Sequence, residues 1–252
     1  MNQRIDVLDN YLRRLRMPAL VENLNLRLRE AEEGKLGYLD FLFLLIQDEI
    51  DSREVNNLHK RLKMGDLSPR MTFESYDFRY NAEAIAPSLI RDLATCRFIK
   101  EKRNLVFCGP PGVGKTHIAQ ALGHEICRRG GDALFIKTQQ LLETLQDKSY
   151  PRRVARLWKQ IKRNELLILD DFGFRKYEQN EAEILYSLAD ARLNIASTII
   201  TSNRPPQDWY GVFPDPVIGG AVLDRLVAGA IKIIVENADS YRKRCTYQFP
   251  AL

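Results

Sequence analysis

The sequence predicts an α/β fold with a parallel central sheet, preceded by a small all-helical N-terminal domain. Unbroken apolar runs, such as residues 166–169, are typical of strands that helices cover on both faces of a parallel sheet. A glycine-rich turn at residues 109–116 separates another such run from a stretch with helical periodicity. Residues 1–68 show only the three- and four-residue apolar spacing of helices. We therefore expect two domains, residues 1–68 and residues 69–252.

The N-terminal domain is predicted from apolar stripes such as Leu8, Leu12 and Leu15, which recur on one helix face. Such a domain either packs on the core as a bundle or docks a partner protein or DNA, and the sequence leaves both functions open. Residues 65–81 lose the periodicity and are predicted to be a linker. Three aromatic side chains are predicted to anchor this linker: Phe73, Tyr76 and Phe78.

Composition and charge narrow the classes of function. The 252 residues are 45% apolar and 28% charged, as in ordinary globular proteins. Residues 1–70 carry 12 basic and 12 acidic side chains, so the net charge of +5 lies in the remainder and suggests an anionic partner. Because the N-terminus lacks a signal peptide's apolar core and residues 41–46 are the longest apolar run, we expect a cytoplasmic protein with no membrane partner.

Four cysteines without metal-ligand spacing are predicted to be buried thiols: Cys96, Cys108, Cys127 and Cys245.

The turn at residues 109–116 matches the phosphate-binding loop pattern G-x-x-x-x-G-K-[ST] at every fixed position. A strand, a glycine-rich turn and a helix start together direct backbone N–H groups and a helix dipole at one anion. Lys115 is predicted to reach the β- and γ-phosphates of a nucleoside triphosphate, and the Thr116 hydroxyl to ligate Mg²⁺. The predicted nucleotide-binding residues are Gly109, Pro110, Pro111, Gly112, Val113, Gly114, Lys115, Thr116 and His117.

Polar side chains follow two of the other predicted strands. Asp170 and Asp171 end one apolar run, and Asn203 ends the next. Because ligand chemistry in parallel sheets gathers at the carboxyl ends of strands, we expect these side chains to meet the phosphate loop. Asp170 is predicted to hold Mg²⁺, Asp171 to orient or deprotonate the attacking water, and Asn203 to contact that water or the γ-phosphate. The simpler alternatives are a helix cap for the aspartates and a turn for Asn203.

Two helical stretches, at about residues 139–163, are predicted to be inserted between the second and third strands. From residue 148 to residue 164 this insertion carries seven basic side chains and no acid, whereas a solvated helix face normally mixes both signs. We therefore predict contacts with the phosphates of a nucleic acid, against the alternative of a merely solvated helix. The predicted DNA-binding residues are Lys148, Arg152, Arg153, Arg156, Lys159 and Arg163, with Lys162 as the seventh basic residue.

The ordered motifs resemble a known family. They are Gly-Pro-Pro-Gly-Val-Gly-Lys-Thr, Leu-Ile-Leu-Asp-Asp-Phe-Gly, Thr-Ile-Ile-Thr-Ser-Asn-Arg, Leu-Asp-Arg-Leu and Ser-Tyr-Arg. In this combination the chain resembles the IstB-type ATP-binding helpers of bacterial insertion sequences, which are AAA+ ATPases of the same group as the DnaC-type helicase loaders. The resemblance is strong over residues 70–245 and looser over the N-terminal helices. It implies the AAA+ P-loop NTPase fold.

The resemblance also implies roles for individual residues. Asn203 is similar to the first sensor, Arg225 to the arginine finger that reaches a neighbouring subunit's γ-phosphate, and Arg242 to the second sensor. The basic insertion is similar to the one that initiator-type AAA+ proteins apply to DNA. One position departs from the common pattern, because Asp170-Asp171 stands where the family commonly has Asp-Glu. The shorter side chain of Asp171 predicts water activation that is slower or depends on assembly, although initiator relatives also use Asp-Asp.

The function implied is that of an ATP-dependent DNA-binding helper for the transposase encoded by the same element. With ATP and Mg²⁺ bound, subunits are expected to assemble head to tail into a ring or spiral homo-oligomer around double-stranded DNA. Two alternatives remain open. One is a replicative-helicase loader of the DnaC type, which acts on single-stranded DNA. The other is a nucleotide-gated DNA-binding scaffold with little turnover, in which Asp171 activates water poorly.

Overall fold

The computed structural model describes residues 2–236 and 238–242, and it divides the chain into two compact units, residues 1–60 and residues 61–252. The predicted boundary after residue 68 stays a prediction. Cys245, which is predicted to be a buried thiol, lies outside the described residues. The helices before the sheet are α1 (Asn2–Arg14), α2 (Pro18–Gly34), α3 (Tyr38–Met64), α4 (Pro87–Ala94) and α5 (Arg97–Lys100).

The first unit is helical, as the apolar stripes predict. Leu12 of α1, Leu20 and Leu24 of α2 and Leu45 of α3 form its buried core. The carboxylate of Glu49, which is 3% exposed, accepts hydrogen bonds from two backbone N–H groups in the first turn of α2. A negative charge at this position also complements the dipole of α2.

The second unit is built on a five-stranded sheet in the order β2-β3-β4-β1-β5, with every pair of neighbours parallel. This arrangement confirms the predicted α/β fold. The strands are β1 (Leu105–Cys108), β2 (Ala133–Lys137), β3 (Leu166–Asp170), β4 (Ser197–Ser202) and β5 (Ile231–Ile234). The remaining helices are α6 (Lys115–Arg128), α7 (Thr138–Gln146), α8 (Pro151–Arg163), α9 (Gln179–Arg192) and α10 (Pro216–Val227), with a 3-10 helix at Pro206–Val212. Every residue of β1, β3 and β4 is buried, because helices cover both faces of the sheet.

The segment predicted as a linker is packed against the α/β unit. The backbone N–H of Ser68 donates to the side chain of Gln120 in α6 at 2.8 Å, and the carbonyl of Ser68 lies 2.9 Å from Nε2 of His124. The N–H of Phe135 in β2 donates to the carbonyl of Gly65 at 2.8 Å. Sequence periodicity missed these contacts because they are made by turns rather than by a regular element.

The inserted helices α7 and α8 lie between β2 and β3, as predicted. Leu157 and Ile161 face the core of the sheet and are 7% and 0% exposed. Trp158 is partly buried against the same core, which leaves the basic side chains on the solvent side of α8.

Cys96, Cys108 and Cys127 are buried free thiols, as predicted. Burial raises the pKa of Cys96 to about 11 and that of Cys108 to about 12. Within the described part of the chain, no helix is both long and apolar enough to cross a membrane.

Candidate nucleotide and DNA sites

The phosphate loop connects β1 to α6 through glycines with left-handed backbone angles. Gly112 and Gly114 have φ values of 84° and 99°, a region that side chains disfavour. A Cβ atom at Gly109 would lie 2.6 Å from the carbonyl oxygen of Val235, which follows β5. Gly109 therefore has no room for a side chain, and the left-handed glycines that follow carry the loop to the start of α6, where backbone N–H groups favour an anion.

The amine of Lys115 occupies the centre of this loop. It donates to the carbonyls of Gly109 and Pro110 at 2.7 and 2.8 Å and to Oδ1 of Asn203 at 2.8 Å. Burial lowers its pKa, and the nearby carboxylates of Asp171 and Asp170 oppose that shift. Lys115 is thus a buried cation held by neutral oxygens, and phosphate oxygens would be stronger partners for it.

The metal residues predicted from sequence are in direct contact. The Thr116 hydroxyl donates to Oδ1 of Asp170 at 2.7 Å, and the Thr201 hydroxyl donates to the same oxygen at 2.5 Å. Burial raises the pKa of Asp170, while these two hydroxyls favour its charged form. A hydroxyl and a carboxylate are the oxygen donors that Mg²⁺ prefers, and Mg²⁺ takes its other ligands from phosphates and water. The residues therefore fit Mg²⁺ bound with a nucleotide, and the described residues contain no cluster of acidic, histidine or cysteine side chains that would hold a metal alone.

The backbone positions of Asp171 and Asn203 are fixed by contacts of their own and of neighbouring residues. Asp171 has a φ of 56°, and its N–H donates to the Thr201 hydroxyl at 3.2 Å. Phe172, which follows it, is fully buried against Trp209, with ring centroids 4.8 Å apart. The indole N–H of Trp209 in turn donates to the Ser202 hydroxyl, one residue before Asn203. The side chains of Asp171 and Asn203 therefore follow a strand directly and are flanked by residues that pack or bond in the core.

One cleft of about 630 Å³ brings most of the predicted site together. Its lining includes the loop from Pro111 to His117, and also Asp170, Asp171, Asn203 and Arg242. The predicted linker completes the cleft, which sequence analysis did not anticipate. The Tyr76 ring packs edge-on against the His117 ring at 5.2 Å and lies close to Gly114. His117 places Nε2 at 2.8 Å from the carbonyl of Thr72, so this nitrogen carries the proton.

Arg225 lies elsewhere, on the last turn of α10. It borders a cavity with residues 101–104 before β1 and with Thr198 at the start of β4, so it stands at the amino edge of the sheet. Its guanidinium lies 4.6 Å above the Tyr186 ring and donates from Nε to Asp190 of α9 at 3.0 Å. The phosphate cleft stands at the opposite, carboxyl edge. Arg225 therefore does not reach the cleft of its own chain.

The predicted DNA-binding side chains form one exposed surface. Arg152, Arg156, Lys159 and Arg163 lie along the solvent face of α8, opposite its buried residues. Arg153 and Lys148 are also exposed. Among the described residues, Arg163 makes the one ion pair of this face, with Asp132 at 3.5 Å. We call this set the α8 basic face.

Comparison with known proteins identifies the family. The IstB-like ATP binding protein family matches residues 10–248, which is nearly the whole chain. The chain belongs to this family. An insertion-sequence ATP-binding protein of Mycobacterium tuberculosis is 39% identical over 242 residues, or 94% of each protein. The IS21 ATP-binding protein of Pseudomonas aeruginosa is 34% identical over 93% of this chain and 88% of its own length.

Solved structures agree on the fold of this IstB-like protein. The DnaC helicase loader matches with a TM-score of 0.57 and 22% identity, covering 67% of this chain and all of the loader chain. AMPPCP-bound DnaA from Aquifex aeolicus matches with a TM-score of 0.56 and 19% identity, over 74% of this chain and 58% of DnaA. The α/β unit therefore has the AAA+ P-loop fold, and family membership makes this an ATP-binding protein.

Proposed function

We propose that this IstB-like protein is an ATPase that assembles on double-stranded DNA and regulates the transposase encoded by the same insertion sequence. The observation that carries the proposal is the separation of Arg225 from the phosphate cleft of its own chain. An arginine at the amino edge of the sheet serves a phosphate site only if that site belongs to a second copy. The relatives' association with insertion sequences supports the choice of partner.

In the proposed reaction, water attacks the γ-phosphorus of ATP and the bond to the bridging oxygen breaks, so that ADP leaves with the electron pair. Asp171 accepts the proton of the attacking water, and Asn203 orients that water beside the γ-phosphate. Lys115 leaves its carbonyl partners to bind the β- and γ-phosphates. Thr116 and Asp170 would hold Mg²⁺, which would supply positive charge to the phosphate oxygens. Arg242, which lines the same cleft, contacts the phosphates from the C-terminal side.

Assembly completes the site in this proposal. Each subunit contributes Arg225 to the cleft of the next, which is a head-to-tail contact that gives a ring or a spiral. An arginine supplied in this way typically raises the rate by about 10³–10⁵. Hydrolysis therefore depends on assembly, and it returns the subunits to a state that releases DNA and the transposase.

The α8 basic face is the proposed DNA contact. Its charges are exposed, and all except Lys148 lie along α8, an arrangement suited to phosphates rather than to base edges. The same face argues against a loader of single-stranded DNA, because such proteins stack bases on aromatic rings. Trp158 packs on the core, so among the described residues of the insertion only Tyr150, 63% exposed, offers an accessible ring. Affinity capture with the helicase or with the transposase as bait separates these two candidates.

Mixing two inactive variants tests the shared site. The Asp171→Asn variant retains Arg225 but lacks the carboxylate that accepts the proton. The Arg225→Ala variant retains Asp171 but lacks the arginine that would reach the neighbouring cleft. Each variant alone should release phosphate at least about 10³-fold more slowly than the wild type. An equimolar mixture should recover roughly a quarter of wild-type turnover, because about that share of random interfaces joins an intact cleft to an intact finger.

The control is a mixture of Asp171→Asn with Arg91→Ala, which alters an exposed arginine on α4 and should change turnover only by dilution. Failure of the first mixture to recover activity, with both variants still binding ATP, would place the finger elsewhere. Phosphate release by the wild type that stays near zero with duplex DNA would instead favour the scaffold with little turnover.

A further inference from the structure

A second basic groove lies at the amino edge of the sheet, within the unit formed by residues 61–252. Its volume is about 260 Å³. The side chains that matter for its charge come from the end of α3, the turn before β2 and the last turns of α8: Arg61, Asp132, Arg156, Lys159 and Arg163. Among the described residues that line it, four are cationic and one is acidic, so the groove has a clear positive excess.

The α3 side of this groove is fixed by a close backbone contact. The carbonyl of Gly65 accepts a hydrogen bond from the N–H of Phe135 at 2.8 Å, which ties the end of α3 to the edge strand β2. A Cβ atom at Gly65 would lie 2.3 Å from the carbonyl oxygen of Ala133, so this approach requires glycine. Arg61 stands one helical turn earlier, and its position relative to β2 is therefore set by the backbone.

The α8 side is fixed by a buried arginine, Arg192, at the end of α9. Its guanidinium donates to the carbonyl of Ile161 in the last turn of α8 and to that of Asn164, the residue that follows the helix. It also donates to the carbonyl of Ser197 at 2.6 Å and the hydroxyl of Thr198 at 3.1 Å. Burial lowers the pKa of Arg192 to about 10. A positive charge at the negative end of the α8 dipole fixes that end of the helix against β4.

The cationic side chains of the groove have few acidic partners, and those contacts are long. Arg61 and Arg163 share the single carboxylate of Asp132, at 3.8 and 3.5 Å, distances too long for strong hydrogen bonds. Arg156 and Lys159 form no ion pair with an acidic side chain of the described residues, and both belong also to the α8 basic face. The two fixed sides of the groove, with their excess of cations, suit a phosphate group. The α8 basic face continues from this groove along the helix.

We propose that this groove binds a backbone phosphate of the same duplex DNA that the α8 basic face contacts, with Arg61 as the additional contact from α3. This inference rests on the proposed DNA binding by α8. It extends the contact surface beyond the insertion, onto a helix that the sequence assigned to the N-terminal domain. Asp132 then opposes DNA binding while it orients the two arginines.

Two substitutions with opposite expected effects test this site. The assay is binding of the full chain, with a non-hydrolysable ATP analogue, to a mixed-sequence duplex over a series of salt concentrations. Arg61→Gln keeps the stem but removes one charge, so it should lower affinity about threefold to tenfold and reduce the salt slope by about 1. Asp132→Asn removes the opposing charge and should raise affinity at low salt. Equal salt slopes for Arg61→Gln and the wild type would overturn the proposal.

Further variants separate this inference from the function on which it rests. Arg91→Ala, an exposed arginine outside the groove, is the charge-matched control and should leave the salt slope unchanged. Replacing Arg152, Arg156 and Lys159 together with Ala should lower the slope by about 3. If that triple variant shows the loss but Arg61→Gln does not, the groove is a structural ion-pair site and DNA binding by α8 stands. If neither shows a loss, both proposals fail.

Discussion

The nucleotide cleft and the α8 basic face both contain cationic side chains, but they are built in different ways. In the cleft, the cation is buried, and Lys115 is 6% exposed with three oxygen partners within 2.8 Å. On α8, the cations stand in water above a buried stripe that includes Leu157 and Ile161. One region depends on the exact placement of single atoms, whereas the other depends on the amount of charge along a surface.

This difference predicts how each region responds to small changes. A close-packed polar site loses function when one group is replaced by a slightly larger one, because its neighbours cannot move. A screened, exposed surface responds to the number of charges removed and tolerates changes in their shape. Conservative substitutions should therefore be severe in the cleft and nearly silent on α8.

The largest effect is expected for Lys115→Arg. The substitution keeps the charge, but the planar guanidinium does not fit among the carbonyls of Gly109 and Pro110 and the amide of Asn203. Overpacking typically costs about 1–3 kcal/mol, and misplaced phosphate contacts add to it, so ATP affinity should fall about a hundredfold. A fluorescent-nucleotide titration measures this, with the melting temperature of the nucleotide-free protein as the control. Affinity within a few-fold of the wild type would mean that the cleft is less rigid than its contacts indicate.

A smaller effect is expected when a single methyl group is added at Gly109. Its φ of 151° and the 2.6 Å approach to the carbonyl of Val235 leave no space for Cβ. Gly109→Ala should strain the loop by about 1–3 kcal/mol and weaken ATP binding by roughly tenfold. Gly220→Ala is the matched control, because a Cβ at this position in α10 meets nothing within 4 Å. Similar ATP titrations for both variants would contradict the role of the glycine.

Much of the fold and of the cleft was accessible from the sequence. The phosphate loop has a fixed spacing, and parallel strands carry their carboxyl ends to one edge. This is why Asp170, Asp171 and Asn203 could be expected beside Lys115. The helices were predictable because a buried face imposes its period on the sequence. The catalytic and DNA-binding roles of these residues stay predictions.

The contacts between distant segments were not predictable. Tyr76 closes the cleft from a stretch without periodicity, and Gly65 joins α3 to β2 through one hydrogen bond. Nothing in the sequence distinguishes Arg192 from an exposed helical arginine, yet it is 2% exposed and donates a hydrogen bond at the end of α8. Such residues act through single contacts formed only after the chain has folded. They leave no repeated pattern for a sequence reader to detect.

The smallest effect is expected on α8, where Arg156→Lys should be nearly silent. Phosphate contacts on an exposed face depend on charge, and lysine supplies the same charge without the planar fork of arginine. DNA affinity should change less than about threefold, and its salt slope should stay equal to that of the wild type. Arg156→Ala is the matched variant, and its slope should fall by about 1. If lysine instead behaved like alanine, Arg156 would be making a bidentate contact of defined geometry. The α8 basic face would then resemble the cleft in depending on the placement of individual atoms.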